Sequence, residues 1–381
     1  MRPITYEKFE VILKFLEEKQ IDVLMICDFE NARNVNLQYI SGHPTDAILL
    51  ITKNGESILI PGDYQLAREH AEVDEILDLS NFKYNLYLAI KELVDNRWKK
   101  SSIKFGVHEN TPYGTIIKMK KNMPNVKYFK DPIEITKLLQ ELRATKSDYE
   151  LSQLKKAGQI GSKTINDIRD FCENSTDGSE KDLSFLVRKK MGEYGADDIA
   201  FESLVANTNR SHALHCYPTA TNQKFALQGL ALIDFGAKFQ GYCSDITVPI
   251  SFQELSEEQQ KIKDLVIDSY EAAIEIIDLD VPLWKIHEEA EQVLKKEGRS
   301  LPYAVGHGLG LTIHDSPIIA SKPSDEYSLK HWKEEFVQDG MVFTIEPGIY
   351  KQGLGGFRLE NDVLVKNGKI KIITKSEYIK V

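Results

Sequence analysis

Two aspartates occupy positions that a buried strand would not normally give to a carboxylate. Asp234 ends an apolar run, and Asp245 precedes another apolar run eleven residues later. Aspartate is disfavoured in strands, and burying a carboxylate without partners is strongly unfavourable. If the two runs are adjacent strands joined by a turn around Gly241, their carboxylates project into a common space. The alternation of a strand then puts Thr247 on the face of Asp245, where its hydroxyl would orient that carboxylate.

One histidine and two glutamates lie in similarly unusual surroundings. His307 stands between two glycines, whose lack of side chains lets the backbone approach a ligand or a neighbouring strand. Glu346 ends a further apolar strand and is followed by Pro-Gly. Glu360 lies in another predicted strand, two residues after Arg358 and on the same face. With the two aspartates, these residues are candidates for one shared site.

A site that gathers four carboxylates needs compensating positive charge. Unit charges a few ångströms apart repel by about 4 kcal/mol per pair at an effective dielectric of 20. Two divalent cations would supply the missing charge, and an oxygen-rich set with one imidazole favours Mn²⁺, with Co²⁺ or Zn²⁺ possible. Spacing alone leaves simpler interpretations open, since an aspartate can sit at a hairpin edge and a histidine between glycines can be a turn residue. The glycine pattern around His307 does not match a dinucleotide-binding fingerprint.

The N-terminal part, residues 1–135, has the alternating pattern of an α/β domain. Apolar spacing predicts a helix over Tyr6–Glu18, and Asn54-Gly55 predicts a tight hairpin turn. Its histidines are isolated from one another, so we interpret them as structural or exposed. The other predicted elements are strands 22–27, 46–52, 57–61, 103–107 and 126–129 and helices 84–94 and 113–121.

A polar, helix-like linker, residues 136–147, leads to a second domain at 148–381. Ser147 and Glu150 form a capping-box pattern, which predicts that a long helix begins there. Mixed helix and strand patterns predict an α+β fold for this domain. The predicted helices are 181–194, 256–277 and 282–296, and the predicted strands are 199–206, 230–234, 341–346 and 357–365.

Composition excludes several classes of protein. The 381 residues carry a formal net charge of −10, and without a basic cluster this argues against a nucleic-acid partner. No apolar run reaches the ~18–20 residues that span a bilayer, and no signal peptide is visible. The four cysteines are scattered without a CxxC spacing, which is typical of reduced thiols. We therefore expect a cytoplasmic protein.

Taken together, these residues resemble the pita-bread metallopeptidases, a family that includes prolidase (Xaa-Pro dipeptidase), aminopeptidase P, methionine aminopeptidase and the metal-free creatinase. The resemblance rests on the order Asp, Asp, His, Glu, Glu, with Gly-His-Gly and Glu-Pro-Gly contexts. It implies an α/β creatinase-like N-terminal domain followed by an α+β pita-bread catalytic domain. The implied metal ligands are Asp234, Asp245, His307, Glu346 and Glu360.

The resemblance also implies a mechanism. Two divalent ions, most simply Mn²⁺, would activate a water for attack on an Xaa-Pro bond in a short proline-containing peptide. One ion would be bound by Asp234 and the other by His307 and Glu346, with Asp245 and Glu360 bridging. Glu346 would also carry a proton to the leaving nitrogen. The implied substrate contacts are His215, His314 and Arg358, the two histidines also acting in catalysis, and a homodimer is expected.

Two departures from the family pattern bear on specificity. Val248 stands where many relatives have arginine, which changes the support near Asp245. Ile318 stands where archaeal-type prolidases have an arginine for the carboxylate of a dipeptide, which leaves longer Xaa-Pro peptides open as substrates. Two alternatives also remain: a metal-dependent hydrolase of a non-peptide C–N bond, the type of bond that creatinase and ectoine hydrolase cleave, and a catalytically inactive binding module on the same fold.

Overall fold

The computed structural model describes residues 4–175 and 177–381, apart from the side chain of His331. The chain divides into two compact units, which meet in sequence between Leu142 and Arg143. The predicted domain limits of 1–135, 136–147 and 148–381 remain a prediction. No helix in the described part of the chain has both the length and the hydrophobicity needed to cross a membrane.

From residue 4 onward, the first unit is built on one mixed sheet. Its helices are α1 (Tyr6–Glu18), α2 (Val35–Ser41), α3 (Tyr64–His70), α4 (Leu86–Glu92) and α5 (Tyr113–Asn122), with α6 (Pro132–Ala144) at its end. Its strands are β1 (Val23–Asp28), β2 (Ala47–Thr52), β3 (Ser57–Pro61), β4 (Glu75–Ile76), β5 (Ile103–Val107) and β6 (Val126–Tyr128). The sheet order is β4-β3-β2-β1-β5-β6, and every residue of β1, β2 and β3 is buried. This sheet is therefore the core of the unit.

Local sequence signals account for most of these elements. The predicted bounds of α1 are confirmed, and Thr5 caps its first turn. Gly55 has the positive φ of +91° that the hairpin between β2 and β3 requires. The helix predicted over 84–94 is wrong at both ends: Asn85 caps α4, and a π-helical turn replaces its continuation after Glu92. Helices α2 and α3 were not predicted.

Buried His43 makes the first unit sensitive to acid. Its side chain is inaccessible to solvent, and its Nδ1 has no hydrogen-bond partner. Burial lowers the pKa of this imidazole, so the folded state holds it neutral. As the pH falls through about 6.5, the ordinary imidazole pKa, the unfolded chain takes up a proton before the folded chain does. The contribution of His43 to stability is therefore fully present above that pH and is lost as the pH falls below it.

We expect His43→Gln to remove this pH dependence. The wild-type free energy of unfolding in urea should fall between pH 7 and pH 5, and this residue should contribute at most about 1.4 kcal/mol per pH unit to the fall, the slope for one proton. The variant should lose that contribution, whereas His70→Gln, at an exposed position, should keep most of it, because burial lowers the pKa of His43 more than the charge of His70 does. Parallel curves for the wild type and His43→Gln would contradict the assignment.

The described residues of the second unit form four sheets. Its helices are α7 (Asp148–Asn174), α8 (Glu180–Glu193), α9 (Glu257–Glu275), α10 (Leu283–Lys295) and α11 (Glu326–His331). Its strands are β7 (Asp198–Ile199), β8 (Leu204–Ala206), β9 (Gly229–Phe235), β10 (Ala237–Phe239), β11 (Tyr242–Cys243), β12 (Ile246–Phe252), β13 (Gly306–Gly308), β14 (Asp315–Ile319), β15 (Val342–Ile345), β16 (Gly348–Lys351), β17 (Gly355–Arg358), β18 (Asn361–Lys366), β19 (Lys369–Ile372) and β20 (Ile379–Lys380).

Two of these sheets supply most of the strands around the site described below. Their strand orders are β20-β12-β9-β8 and β14-β13-β15-β18-β19. The predicted capping box at Ser147 is confirmed and starts α7, and a second capping box at Ser256 starts α9. Two strand predictions are wrong in extent, because 199–206 is split into β7 and β8, and 357–365 is broken between β17 and β18. The second break lies at Leu359 and Glu360, which matters for the site below.

Candidate metal centre

The two aspartates come together through the pairing of β9 with β12. Asp234 lies in β9 directly opposite Thr247 of β12, and Asp245 immediately precedes β12. The turn between β10 and β11 contains Gly241 with φ +85°, so the predicted turn is confirmed. Asp245 is nevertheless in the connection between β11 and β12 and not inside a strand. Because Asp245 lies outside a strand, the alternation of side chains along the sheet does not determine the direction of its carboxylate.

His307 is the middle residue of β13, which lies between β14 and β15. The flanking glycines are required by close packing with both neighbours. A Cβ on Gly306 would lie 1.9 Å from the carbonyl oxygen of Thr344, and one on Gly308 would lie 2.1 Å from that of Ser316. The backbone NH of His307 donates to the Thr344 hydroxyl at 3.1 Å. The predicted close approach of a neighbouring strand is therefore present.

Both glutamates lie just beyond strand ends. Glu346 follows β15, and its NH donates to the carbonyl of Val305 at 2.8 Å. Glu360 lies in the break between β17 and β18, so the expectation that it sits inside one long strand is wrong. The break lets Arg358 and Glu360 turn into the site from the end of one strand and the start of the next. The alternating pattern of side chains that identifies a strand in a sequence could not have located this break.

All eight predicted site residues line a single pocket of about 490 Å³. Apolar side chains form much of the remaining wall, including Leu204, Leu214, Ile313 and Ile318. The predicted residues in the lining are His215, Asp234, Asp245, His307, His314, Glu346, Arg358 and Glu360. The pocket therefore combines a dense polar group with an apolar wall.

Three of the side chains approach within the reach of one metal ion. One ligand atom from each of Asp245, His307 and Glu360 lies within 4.8 Å of the others. His307 Nε2 is 3.6 Å from Asp245 Oδ2 and 3.4 Å from Glu346 Oε1. His307 Nδ1 lies 3.1 Å from the carbonyl oxygen of Gly308, which only a protonated Nδ1 can bind. The lone pair of Nε2 then faces carboxylate oxygens, an arrangement that a cation between them would stabilise.

Burial and mutual repulsion shift the pKa values of the side chains in this group. Burial lowers the pKa of His307 to about 4, so its imidazole is neutral, as a metal ligand must be. Burial, and then the negative charge of the neighbouring acids, raises the pKa of Asp245 and Glu360 well above the usual carboxyl range. Burial raises the pKa of Glu346 to about 7. The positive charge around these acids is too small for all of them to be ionised at the same time.

Asp234 supplies a direct test of whether the pocket fits a cation. Its Oδ2 accepts a hydrogen bond from Arg358 Nη2 at 2.5 Å, but its buried Oδ1 has no partner. An unpaired buried carboxylate oxygen is costly, and a divalent ion would satisfy it. With the Nε2 atom of His307 facing two acids, this makes the donor set suitable for metal ions. The assignment of all five side chains as ligands remains a prediction.

Arg358 is held by a network that the sequence did not reveal. Its Nε donates to the Thr247 hydroxyl at 2.7 Å, and its Nη1 donates to the Tyr350 hydroxyl at 2.7 Å. Tyr350 is 2.9 Å from the hydroxyl of Tyr303, whose O–H bonds the carbonyl of Glu346 at 3.0 Å. No local pattern marked the tyrosines, because their contact with Arg358 depends on segments far apart in the chain.

Thr247 orients a different acid from the one expected. Its hydroxyl donates to Glu360 Oε2 at 2.5 Å, so the prediction that it orients Asp245 is wrong. The reason is that Asp245 lies outside the strand, where alternation does not apply. Asp245 is held by its backbone NH, which is 3.3 Å from both carboxyl oxygens of Asp362. Asp362 was also missed, although its position two residues after Glu360 was a possible signal.

His314 and His215 lie at the exposed side of the pocket. The ring of His314 packs edge-on against that of His307, with centroids 4.3 Å apart. The adjacent Asp315 is anchored by a buried ion pair, in which Arg143 Nη2 donates to Oδ1 at 2.9 Å. His215 belongs to the long connection between β8 and β9 and has no comparable anchor of its own. Its position therefore depends on how that connection is held.

Glu180 holds the connection that carries His215. Its carboxylate is inaccessible to solvent and accepts hydrogen bonds from the NH of Asn207 at 2.9 Å and the NH of Thr221 at 2.8 Å. It also pairs with the guanidinium of Arg210, which bonds the carbonyl of Pro218 in turn. The start, middle and end of the connection are thus tied to one carboxylate at the beginning of α8. Nothing in the sequence near Glu180 indicated this role.

We expect Glu180→Gln to destabilise the protein by about 3 kcal/mol, because it leaves the charge of Arg210 buried without its partner. The measurement is the free energy of unfolding in urea. The matched control is Glu173→Gln on the exposed side of α7, which should change stability by less than about 0.5 kcal/mol. Equal stabilities for the two variants would show that the carboxylate does not organise this connection.

Comparison with protein families adds a separate line of evidence. Residues 152–367 match metallopeptidase family M24, and residues 9–145 match the creatinase/prolidase N-terminal domain. The chain belongs to metallopeptidase family M24. The predicted architecture, a creatinase-type N-terminal domain followed by a pita-bread catalytic domain, is thereby confirmed. M24 membership implies divalent metal ions and peptide substrates, in agreement with the buried Asp245, His307 and Glu360 group.

Several relatives of this M24 chain match it along its whole length. It is 29% identical to the Xaa-Pro dipeptidase of Pyrococcus horikoshii, covering 98% of each chain. The crystal structure of the Pyrococcus horikoshii OT3 prolidase matches with a TM-score of 0.81 at 28% identity, over 98% of this chain and 99% of that one. The Xaa-Pro dipeptidase from Bacillus anthracis matches with a TM-score of 0.82 at 25% identity, over 98% and 99% of the two chains.

Proposed function

We propose that this M24 metallopeptidase hydrolyses the peptide bond between an N-terminal residue and proline, as a prolidase or an aminopeptidase P would. The observation that carries the proposal is the convergence of three histidines, the four predicted acidic ligands and Arg358 in one pocket. Relatives named Xaa-Pro dipeptidase, matched over nearly the whole chain, support the choice of substrate. A cytoplasmic location and a homodimer remain predictions from the sequence.

In this proposal two divalent ions, most simply Mn²⁺, are held by the five predicted ligands. Asp234 would bind one ion, His307 and Glu346 the other, and Asp245 and Glu360 both. Bound together, the ions would supply Lewis acidity and an activated water. The unpaired Oδ1 of Asp234 and the unprotonated Nε2 of His307 support these assignments.

The remaining side chains would bind and orient the substrate. His215 and His314 are exposed towards the pocket and can donate hydrogen bonds to the scissile carbonyl as negative charge develops on its oxygen. Glu346 can carry a proton to the leaving nitrogen, since its carboxyl group lies in the pocket. Arg358 already donates from three nitrogens, so its first effect is to fix Asp234, and its direct contact with the substrate remains a prediction.

The test is a substrate panel assayed with metal-stripped protein and added Mn²⁺, Co²⁺ or Zn²⁺. We expect no turnover without metal, and with Mn²⁺ we expect cleavage of Ala-Pro-Ala at least about tenfold faster than of Ala-Ala-Ala. The second peptide is the control for proline specificity. Failure to cleave any Xaa-Pro dipeptide or tripeptide with any of the three metals would contradict the proposal and favour a non-peptide C–N substrate.

A further inference from the structure

Ile318 places an apolar side chain beside the predicted metal ligands. In the antiparallel pairing of β13 with β14 it lies directly opposite His307. Directly opposed residues share a face of the sheet, with Cβ atoms about 4.5–5.5 Å apart. Ile318 lines the pocket and is 54% exposed. Its side chain is therefore available to a substrate next to the imidazole of His307.

The wall around Ile318 offers little to a negatively charged group. Among the described residues that line the pocket, Arg358 is the one lysine or arginine. Its guanidinium is buried and already donates to Thr247, Tyr350 and Asp234. The outer wall adds a further carboxylate, Glu202, whose side chain is largely exposed. Apart from the predicted metal ions and the imidazoles of His215 and His314, a substrate anion would therefore find acids and apolar groups, with no free lysine or arginine among the described residues that line the pocket.

A dipeptide would have to bring such an anion into the pocket. The carboxyl carbon of its proline is two bonds from the scissile nitrogen, which is a separation of about 2.5 Å. The carboxylate therefore enters wherever the scissile bond enters. In a tripeptide or longer peptide the same carbon belongs to a neutral amide. Burying a carboxylate without a partner costs far more free energy than burying an amide that can hydrogen-bond.

We propose that this pocket selects peptides in which the carboxyl group of proline is in amide linkage, and that Ile318 is a residue that determines this specificity. The inference rests on the Xaa-Pro peptidase activity proposed above and deepens it. The substrates are the N-terminal ends of peptides with at least one residue after proline, and free Xaa-Pro dipeptides are poor substrates. Ile318 contributes by offering apolar contact where a cation would be needed to hold a free carboxylate.

Three substrates separate charge from chain length. Ala-Pro carries the free carboxylate, Ala-Pro-NH₂ replaces it by a carboxamide of nearly the same shape, and Ala-Pro-Ala adds a residue. With Mn²⁺ present, we expect kcat/KM for the amide and the tripeptide to exceed that for the dipeptide at least about tenfold. A tripeptide cleaved well beside an amide cleaved as poorly as the dipeptide would mean that length, and not charge, decides, which would overturn the inference.

A charge introduced at position 318 tests the residue itself. Ile318→Arg should raise kcat/KM for Ala-Pro at least about tenfold while changing that for Ala-Pro-NH₂ by less than about threefold. The matched control is Ile318→Met, which lengthens the side chain without charge and should keep the wild-type preference. The exposure of Ile318 makes both substitutions tolerable to the fold. If the ratio of kcat/KM for Ala-Pro-NH₂ to that for Ala-Pro is unchanged in Ile318→Arg, residue 318 does not determine this specificity.

The outcomes distinguish this inference from the proposed function. If none of the three substrates is cleaved with any added metal, the Xaa-Pro activity itself is wrong. If Ala-Pro is cleaved as fast as Ala-Pro-NH₂ by the wild type, the activity stands and the selection against a free carboxylate is wrong. A preference for the amide that Ile318→Arg reverses, and Ile318→Met leaves unchanged, supports both.

Discussion

Replacing His307 with alanine is expected to lower kcat/KM for an Xaa-Pro peptide by at least about 10³-fold, or about 4 kcal/mol of transition-state stabilisation. His307 is the single imidazole in the buried group with Asp245 and Glu360, and its Nε2 faces two carboxylates at 3.4 and 3.6 Å. Alanine removes this nitrogen donor and leaves the carboxylates of the group without the imidazole beside them. The measurement is steady-state hydrolysis of Ala-Pro-Ala with Mn²⁺.

The control for this variant must show that the fold survives. His70→Ala, at an exposed position of α3, should retain full activity and the wild-type circular dichroism spectrum. His307→Ala should share that spectrum, because alanine fits the space between β14 and β15 without new contacts. Activity of folded His307→Ala within tenfold of the wild type would exclude His307 as an essential ligand.

Metal binding is expected to raise the melting temperature of the metal-free protein by about 10 °C. A ligand that binds only the folded state stabilises it by about 4 kcal/mol at a thousandfold excess over its Kd. For a domain of the size of the second unit, each kcal/mol corresponds to about 2–4 °C. The physical source is the group of buried acids, whose repulsion the cations relieve and whose pKa values are raised in their absence. The measurement is thermal unfolding with and without Mn²⁺, which requires no activity.

Asp245→Asn gives this prediction a sharper form. A neutral amide removes one charge from the repelling group, so the metal-free variant should melt above the metal-free wild type. The same change removes a predicted bridging ligand, so added Mn²⁺ should stabilise the variant by less than half as much as the wild type. A wild-type protein that Mn²⁺ does not stabilise would contradict the idea that the acids form a metal site.

The convergence of these residues in one pocket was predictable because their surroundings in the sequence did not suit a structural role. Acids at the ends of apolar runs and a histidine between glycines conflict with strand propensity, so their types pointed to chemistry before any geometry was known. The glycines beside His307 were correctly expected to permit close approach, here of Thr344 and Ser316. The α1 helix and the capping box at Ser147 were predictable because their signals are local.

What the sequence could not provide depends on contacts between distant segments. The break at Glu360 and the position of Asp245 outside a strand have no signature of period two. The tyrosines that bind Arg358 and the carboxylate of Glu180 act across long stretches of chain. Such contacts are set by tertiary packing, which overrides local propensity. Helices α2 and α3 are too short for their apolar spacing to be recognised.

The central claim is that acids and one imidazole from separate strands hold a pair of cations. The most direct measurement is anomalous X-ray scattering at the manganese edge from crystals grown with Mn²⁺. We predict two peaks in the pocket, with Asp234, Asp245, His307, Glu346 and Glu360 as their protein ligands. No peak in the pocket, or manganese bound only by other residues, would contradict the account.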